Sequence, residues 1–278
     1  MPHAEVNGQR LYYELHGEGE PLLIVMGLAG DLLAWAPQIP AWSGDYQVVA
    51  IENRDVGRSS YADGPYEIAD MAADTLALAD QLELDTFHLL GLSMGGAIAQ
   101  TIALEAPERL RTLTLAVTWG GSGPYGAERS RIIGQQVKAT SAEQMTDYLM
   151  LQTLSEEFYA NADSVAWMRR MILRNPHPQT NDGFLRQFEA CGRFDVRDRL
   201  GQIDVPTHVI GAAHDLMVPP WKSNELADLI PGARLTMLDR APHLVNLEQA
   251  DRFNAAVTGF LAEHADQRAS ASERTTAS

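Results

Sequence analysis

The sequence is short of positive charge, nearly free of cysteine and without a long apolar run, and each shortage closes off a class of protein. Its 278 residues carry 21 lysines and arginines against 37 aspartates and glutamates, a formal net charge of −16. A chain this acidic repels polyanions, which argues against nucleic acid or an anionic membrane surface as a partner. The single cysteine, Cys191, permits no intramolecular disulfide, which suits a reducing compartment, and a cytoplasmic location is expected. Cys191 sits in a helical stretch with no basic cluster to activate it, so it reads as a small packing residue and not as a nucleophile. No apolar stretch is long enough to span a bilayer. The opening Met1-Pro2-His3-Ala4-Glu5 has neither the basic segment nor the apolar run of a secretory signal. No clustered metal ligands stand out, and no cofactor or metal is expected.

What is present is a repeating alternation of strands and helices. The hydrophobic share of 45% is enough to bury a sizeable core. Pro21–Met26, Tyr46–Ile51, Thr86–Leu90 and Leu113–Val117 read as buried strands. Between them, Ile68–Leu82 places Ile68, Met71, Ala72, Leu76 and Ala79 at helical spacing, with Asp70, Asp74 and Asp80 on the other side. A second helix is predicted from about Gly95 to Glu105. Continuous apolar strands separated by helices point to a mostly parallel sheet covered on both faces.

The alternation stops after Trp119. Gly120–Pro124 reads as a flexible linker, and the chain from about 127 to 192 is helical in character, broken at Asn175-Pro176-His177-Pro178. Residues 121–192 are therefore expected to be a helical cap inserted between sheet strands, with residues 1–120 and 193–264 forming the core. The pattern resumes with strands at Pro206–Gly211 and Ala233–Leu238 and helices at Trp221–Leu229 and Asp251–Leu261. The small, polar tail from 265 to 278 has too little apolar surface to order itself.

The strongest chemical signal is Gly91-Leu92-Ser93-Met94-Gly95, set between a predicted strand and a predicted helix. A strand that turns sharply into a helix holds its serine in a strained conformation, and small residues on either side let the two elements approach. The hydroxyl then stands at the strand's C-terminal end, where helix N–H groups favour developing negative charge. Serine needs a base to act as a nucleophile. Asp215 and His243 follow in the required order, each in a loop after a strand, at the edge where open α/β sheets bind ligands. Asp239 is a rival acid, but it lies too close to His243 in sequence to suit the far imidazole nitrogen. His88 falls inside a strand, and His214 would leave Asp215 without a partner. The glycine-rich Met26-Gly27-Leu28-Ala29-Gly30 segment can bring a backbone N–H, that of Leu28, close to a substrate oxygen beside the N–H of Met94. Gly27, Trp119, Met145, Met217, Val218 and Leu244 are expected pocket walls.

With these residues in view, the chain resembles the α/β-hydrolase fold enzymes over nearly its whole length, and its N-terminal half is similar to the esterase and 3-oxoadipate enol-lactonase branch. The likeness is carried by Val6-Asn7-Gly8 with Leu11-Tyr12-Tyr13, the Gly27–Trp35 loop, Asn53–Ser59, the serine elbow, Ala106–Leu110, Asp215–Pro219 and Ala241-Pro242-His243. The resemblance implies Ser93 as nucleophile, His243 as general base, Asp215 as the orienting acid, and structural roles for Arg54 and Asp55. Two departures stand out. Met26-Gly27 replaces the common His-Gly, and Asp55 replaces a glycine, a change expected to alter only a surface turn. Arg169, Arg170 and Arg174 could bind a substrate carboxylate, although a solvated helix face is the preferred reading of all three. The expected activity is hydrolysis of a small-molecule ester or lactone through an acyl-enzyme. A carbon–carbon bond hydrolase using the same triad stays open, as does a non-catalytic ligand-binding protein on the same fold.

Overall fold

The computed structural model describes residues 2–265, so the polar tail expected after Ala265 lies outside the described residues. Eight strands form one sheet in the order β1-β2-β4-β3-β5-β6-β7-β8. They are β1 (His3–Val6), β2 (Gln9–His16), β3 (Glu20–Val25), β4 (Tyr46–Ile51), β5 (Phe87–Leu92), β6 (Leu110–Ala116), β7 (Thr207–Ala212) and β8 (Arg234–Leu238). β3 to β8 pair in parallel, whereas β1 and β2 are antiparallel. Hydrophobic runs do not single out this antiparallel pair. It is made by a tight hairpin in which Asn7 and Gly8 both take positive φ, 48° and 75°, the turn chemistry that matches strand twist.

The helices are α1 (Gln38–Trp42), α2 (Ile68–Gln81), α3 (Met94–Glu105), α4 (Gly123–Ala139), α5 (Ala142–Thr153), α6 (Glu156–Tyr159), α7 (Ala162–Leu173), α8 (Asn181–Arg193), α9 (Trp221–Leu229), α10 (Val245–Glu248) and α11 (Ala250–Ala262). Successive strand residues point to opposite faces, and both faces are buried. Leu23 and Val25 join Met71, Leu78, Ile98 and Leu226 from α2, α3 and α9. Leu22 and Ile24 join Trp42, Phe253 and Val257 from α1 and α11. Such two-sided burial, at roughly 1.5–3 kcal/mol per large apolar side chain, is why the strands read as unbroken apolar runs.

Helices α4 to α8 lie between β6 and β7. The segment Gly120–Pro124 is not a linker as expected. Gly121 bridges to Asp195, and α4 begins at Gly123. The crossing back to the core is also firm. Asp55 does not occupy a surface turn: it is fully buried at φ 69°, and its carboxylate accepts two hydrogen bonds from Arg186 of α8 (2.7 and 2.9 Å) and one from the Tyr66 hydroxyl (2.8 Å). A glycine there would hold the same turn but could not anchor α8. Arg54 pairs with buried Asp74 at 2.7 Å, consistent with its structural role. Among the described residues no helix is long and apolar enough to cross a membrane.

Candidate active site

The C-terminal ends of the parallel strands converge on one cavity. β5 delivers Ser93, which adopts φ 56° and ψ −117° at the start of α3. That conformation is costly for a residue with a side chain, and the surroundings enforce it. The Ser93 N–H donates to the Ala116 carbonyl at 2.9 Å, and the Thr118 hydroxyl donates to the Ser93 carbonyl at 2.7 Å. A Cβ on Gly91 would collide with the Gly95 backbone, and one on Gly95 with the Val25 carbonyl, so strand and helix can meet this closely only through glycine.

The loops after β7 and β8 bring in the other two groups. His243 Nε2 lies 3.0 Å from Ser93 Oγ, and His243 Nδ1 lies 2.7 Å from Asp215 Oδ2. The second carboxylate oxygen of Asp215 accepts the N–H groups of Met217 and Val218, both at 2.8 Å. The two loops are stitched together by Ala213 and His214, whose N–H groups donate to the Leu238 and Ala241 carbonyls. All three side chains are buried. The rivals lie elsewhere. Asp239 and His214 are exposed. His88 is buried in the sheet beside Thr112 and Glu20, where burial holds it below the ordinary histidine range. Burial likewise pushes the Cys191 thiol up to about 12, so it stays protonated at neutral pH.

The loop after β3 lies against the serine. A Cβ on Gly27 would sit 2.9 Å from Ser93 Cβ, so only glycine lets this backbone come so near. Among the described residues the N–H groups of Leu28 and Met94 have no hydrogen-bond acceptor, and both residues line the cavity beside Ser93. Two donors beside a hydroxyl–imidazole–carboxylate relay are the parts needed to attack a carbonyl and hold the resulting oxyanion.

With Met26 in place of a histidine, the loop is pinned from two sides. Asn53 Nδ2 donates to the Met26 carbonyl at 3.1 Å. From α8, the fully buried Gln187 accepts the Ala29 N–H at 3.1 Å and donates to the Arg54 carbonyl at 2.9 Å. The sequence held a signal for Gln187: it is a polar residue on the apolar stripe of Phe184, Phe188 and Cys191. Replacing Gln187 by leucine leaves the buried Arg54 carbonyl and the half-buried Ala29 N–H without this partner, so a loss of about 2 kcal/mol of stability is expected in urea unfolding. A fall in kcat with little change in KM is expected alongside, because the loop beside Ser93 is loosened. An unchanged kcat would confine Gln187 to a structural role.

The cavity has a volume of about 1530 Å³ and runs between the strand ends and helices α4 to α8. Gly27, Trp119, Met217, Val218 and Leu244 line it, with Phe184, Phe188 and Met168 from the insertion. Met145 does not line it. Its side chain packs against the cluster of Val137, Phe184, Leu185 and Phe188, because its turn of α5 faces α4 and α8. Arg169, Arg170 and Arg174 are also absent from the wall, and Arg169 is paired with Asp147 at 2.6 Å on the outer surface.

The sequence model of the alpha/beta hydrolase fold matches residues 20–250. A protein of Azorhizobium caulinodans named "Putative carbamate hydrolase RutD" is 32% identical over 265 residues, covering 95% of this chain and 99% of its own length. Among solved structures, a hydrolase from Pseudomonas aeruginosa aligns with a TM-score of 0.86 at 31% identity, covering 94% of this chain and 97% of that one. The enol-lactonase from Burkholderia xenovorans aligns with a TM-score of 0.84 at 30% identity, covering 94% and 100%.

Proposed function

Since the chain belongs to the α/β-hydrolase fold family, we propose that it is a serine hydrolase that cleaves a carboxylic ester or lactone through an acyl-enzyme. The observation that carries this reading is the unbroken relay Ser93 Oγ–His243 Nε2 (3.0 Å) and His243 Nδ1–Asp215 Oδ2 (2.7 Å) on the wall of a cavity. His243 takes the hydroxyl proton as Ser93 Oγ bonds to the carbonyl carbon. The carbonyl oxygen becomes an oxyanion, held by the N–H groups of Leu28 and Met94. As the tetrahedral centre collapses, the bond to the leaving oxygen breaks and that oxygen takes the proton from His243. Water, deprotonated by His243, then releases the acid by the same route. Asp215 keeps Nδ1 protonated and stabilises the imidazolium.

The relatives fit one scheme. A carbamate and an enol-lactone both present a carbonyl carbon to a nucleophile, and both names belong to proteins alike over nearly the whole chain. The test is to trap the intermediate. Rapid acid quench during turnover of p-nitrophenyl acetate is expected to give a mass increase of one acetyl group on the peptide containing Ser93. A burst of about one p-nitrophenolate per active site should accompany it. Turnover without any adduct on Ser93 would overturn the acyl-enzyme and favour direct attack by water. Running a lactone and an aryl carbamate in parallel ranks the substrate classes.

A further inference from the structure

The strained serine has a strained neighbour. Val117, just after β6, takes φ 44°, a conformation that a β-branched side chain rarely adopts. Its N–H donates to the Ile210 carbonyl of β7 at 2.8 Å, which holds it there. The turn seats the next residue, Thr118, against the serine elbow, where it is only 1% exposed. Facing it is Gly96, in the first turn of α3. A Cβ on Gly96 would lie 2.5 Å from both Thr118 Cβ and its methyl carbon. Glycine weakens a helix and a positive φ strains valine, so two local rules are broken at the place where Thr118 fits.

The Thr118 hydroxyl donates to the Ser93 carbonyl at 2.7 Å, shorter than the two helical contacts that the same oxygen accepts, from the Gly96 N–H at 2.9 Å and the Ala97 N–H at 3.3 Å. That carbonyl and the Met94 N–H belong to one peptide plane, and in a trans unit they point in opposite directions. Whatever fixes the oxygen therefore fixes the direction of the N–H. A hydrogen bond to the oxygen also polarises the amide, which strengthens its N–H as a donor. We infer that Thr118 is a positioning residue for the oxyanion: acting through the Ser93–Met94 peptide, it aims and strengthens the Met94 N–H. Thr118 itself does not line the cavity, so it acts on the substrate only through this peptide. The inference rests on the acyl-transfer reading of Ser93 and adds a residue to it.

The test compares Thr118→Val and Thr118→Ser with wild type on p-nitrophenyl butyrate and on its thionoester, in which sulfur replaces the carbonyl oxygen. Sulfur is a weak hydrogen-bond acceptor, so acylation by the thionoester draws little on the oxyanion donors but needs the same Ser93 and His243. Thr118→Val is expected to lower kcat/KM for the ester by about 10- to 50-fold, less than outright removal of a donor, and that for the thionoester by less than about threefold. Thr118→Ser keeps the hydroxyl and should restore most of the ester rate. Equal losses on the two substrates would overturn the inference, because Thr118 would then hold the nucleophile and not the donor. An unchanged ester rate in a folded Thr118→Val variant would overturn it as well. Thr118→Ala carries the same comparison if valine prevents folding. If wild type neither cleaves the ester nor takes up a phosphonate on Ser93, the acyl-transfer reading is what fails, and the role of Thr118 falls with it.

Discussion

Replacing Ser93 by alanine is expected to lower kcat/KM for p-nitrophenyl butyrate by roughly five orders of magnitude, or about 7 kcal/mol of transition-state stabilisation. The substitution removes one oxygen and leaves the cavity, the two backbone donors and the His243–Asp215 pair in place. Substrate binding should survive, and inhibition constants for a non-hydrolysed ester analogue should change by no more than about threefold. The fold should survive too. The backbone strain at φ 56° stays, and the hydroxyl takes with it only its hydrogen bond to His243. Some rate above that in water should remain, because the oxyanion donors and the bound geometry persist without the nucleophile. The measurement is a side-by-side progress curve with thermal unfolding as the control for integrity. A fall of less than tenfold in a folded variant would remove Ser93 from the mechanism and leave His243 acting on water as the simplest alternative.

Replacing Asp215 by asparagine should cost roughly three to four orders of magnitude in kcat, although almost no atom moves. The side-chain oxygen can still accept from Met217 and Val218, as Asp215 Oδ1 does at 2.8 Å to each, so the loop keeps its shape. The amide nitrogen then faces His243 Nδ1, where the carboxylate oxygen now stands at 2.7 Å. An amide donates there and forces the proton onto Nε2, the nitrogen that must accept from Ser93. The stabilisation of the imidazolium is lost with the charge. Alanine at this position is less informative, since it also frees two N–H groups and disturbs the loop. A drop of tenfold or less for the asparagine variant, with stability unchanged, would mean that Asp215 serves the Met217–Val218 turn and not the imidazole.

The parts of the molecule legible in the sequence are those where a local rule determines the answer. Residues 46–51 and 221–229 have the same limits in the structure as in the hydrophobic pattern, because burial and period act within a few residues. The elbow is local as well. Glycines at 91 and 95 and a serine between a strand and a helix permit little else, so the pattern marked Ser93. The loops after two later strands then marked Asp215 and His243, the groups that the structure brings within 3.0 Å of one another. Tertiary structure decided whatever depends on partners far away in the chain. Asp55 read as a surface residue because its counter-charge, Arg186, lies 131 positions on. Gly120–Pro124 read as a linker because its bridge partner, Asp195, is just as invisible from nearby. Met145 read as a pocket wall because apolar character does not say which side of a helix faces a cavity and which faces other helices. The pinning of the Gly27 loop by Gln187 belongs to the same class, as a relation between a helix of the insertion and a loop of the core. Propensity and periodicity govern neighbours along the chain, whereas charge pairing and cavity walls depend on distances that exist only once it has folded.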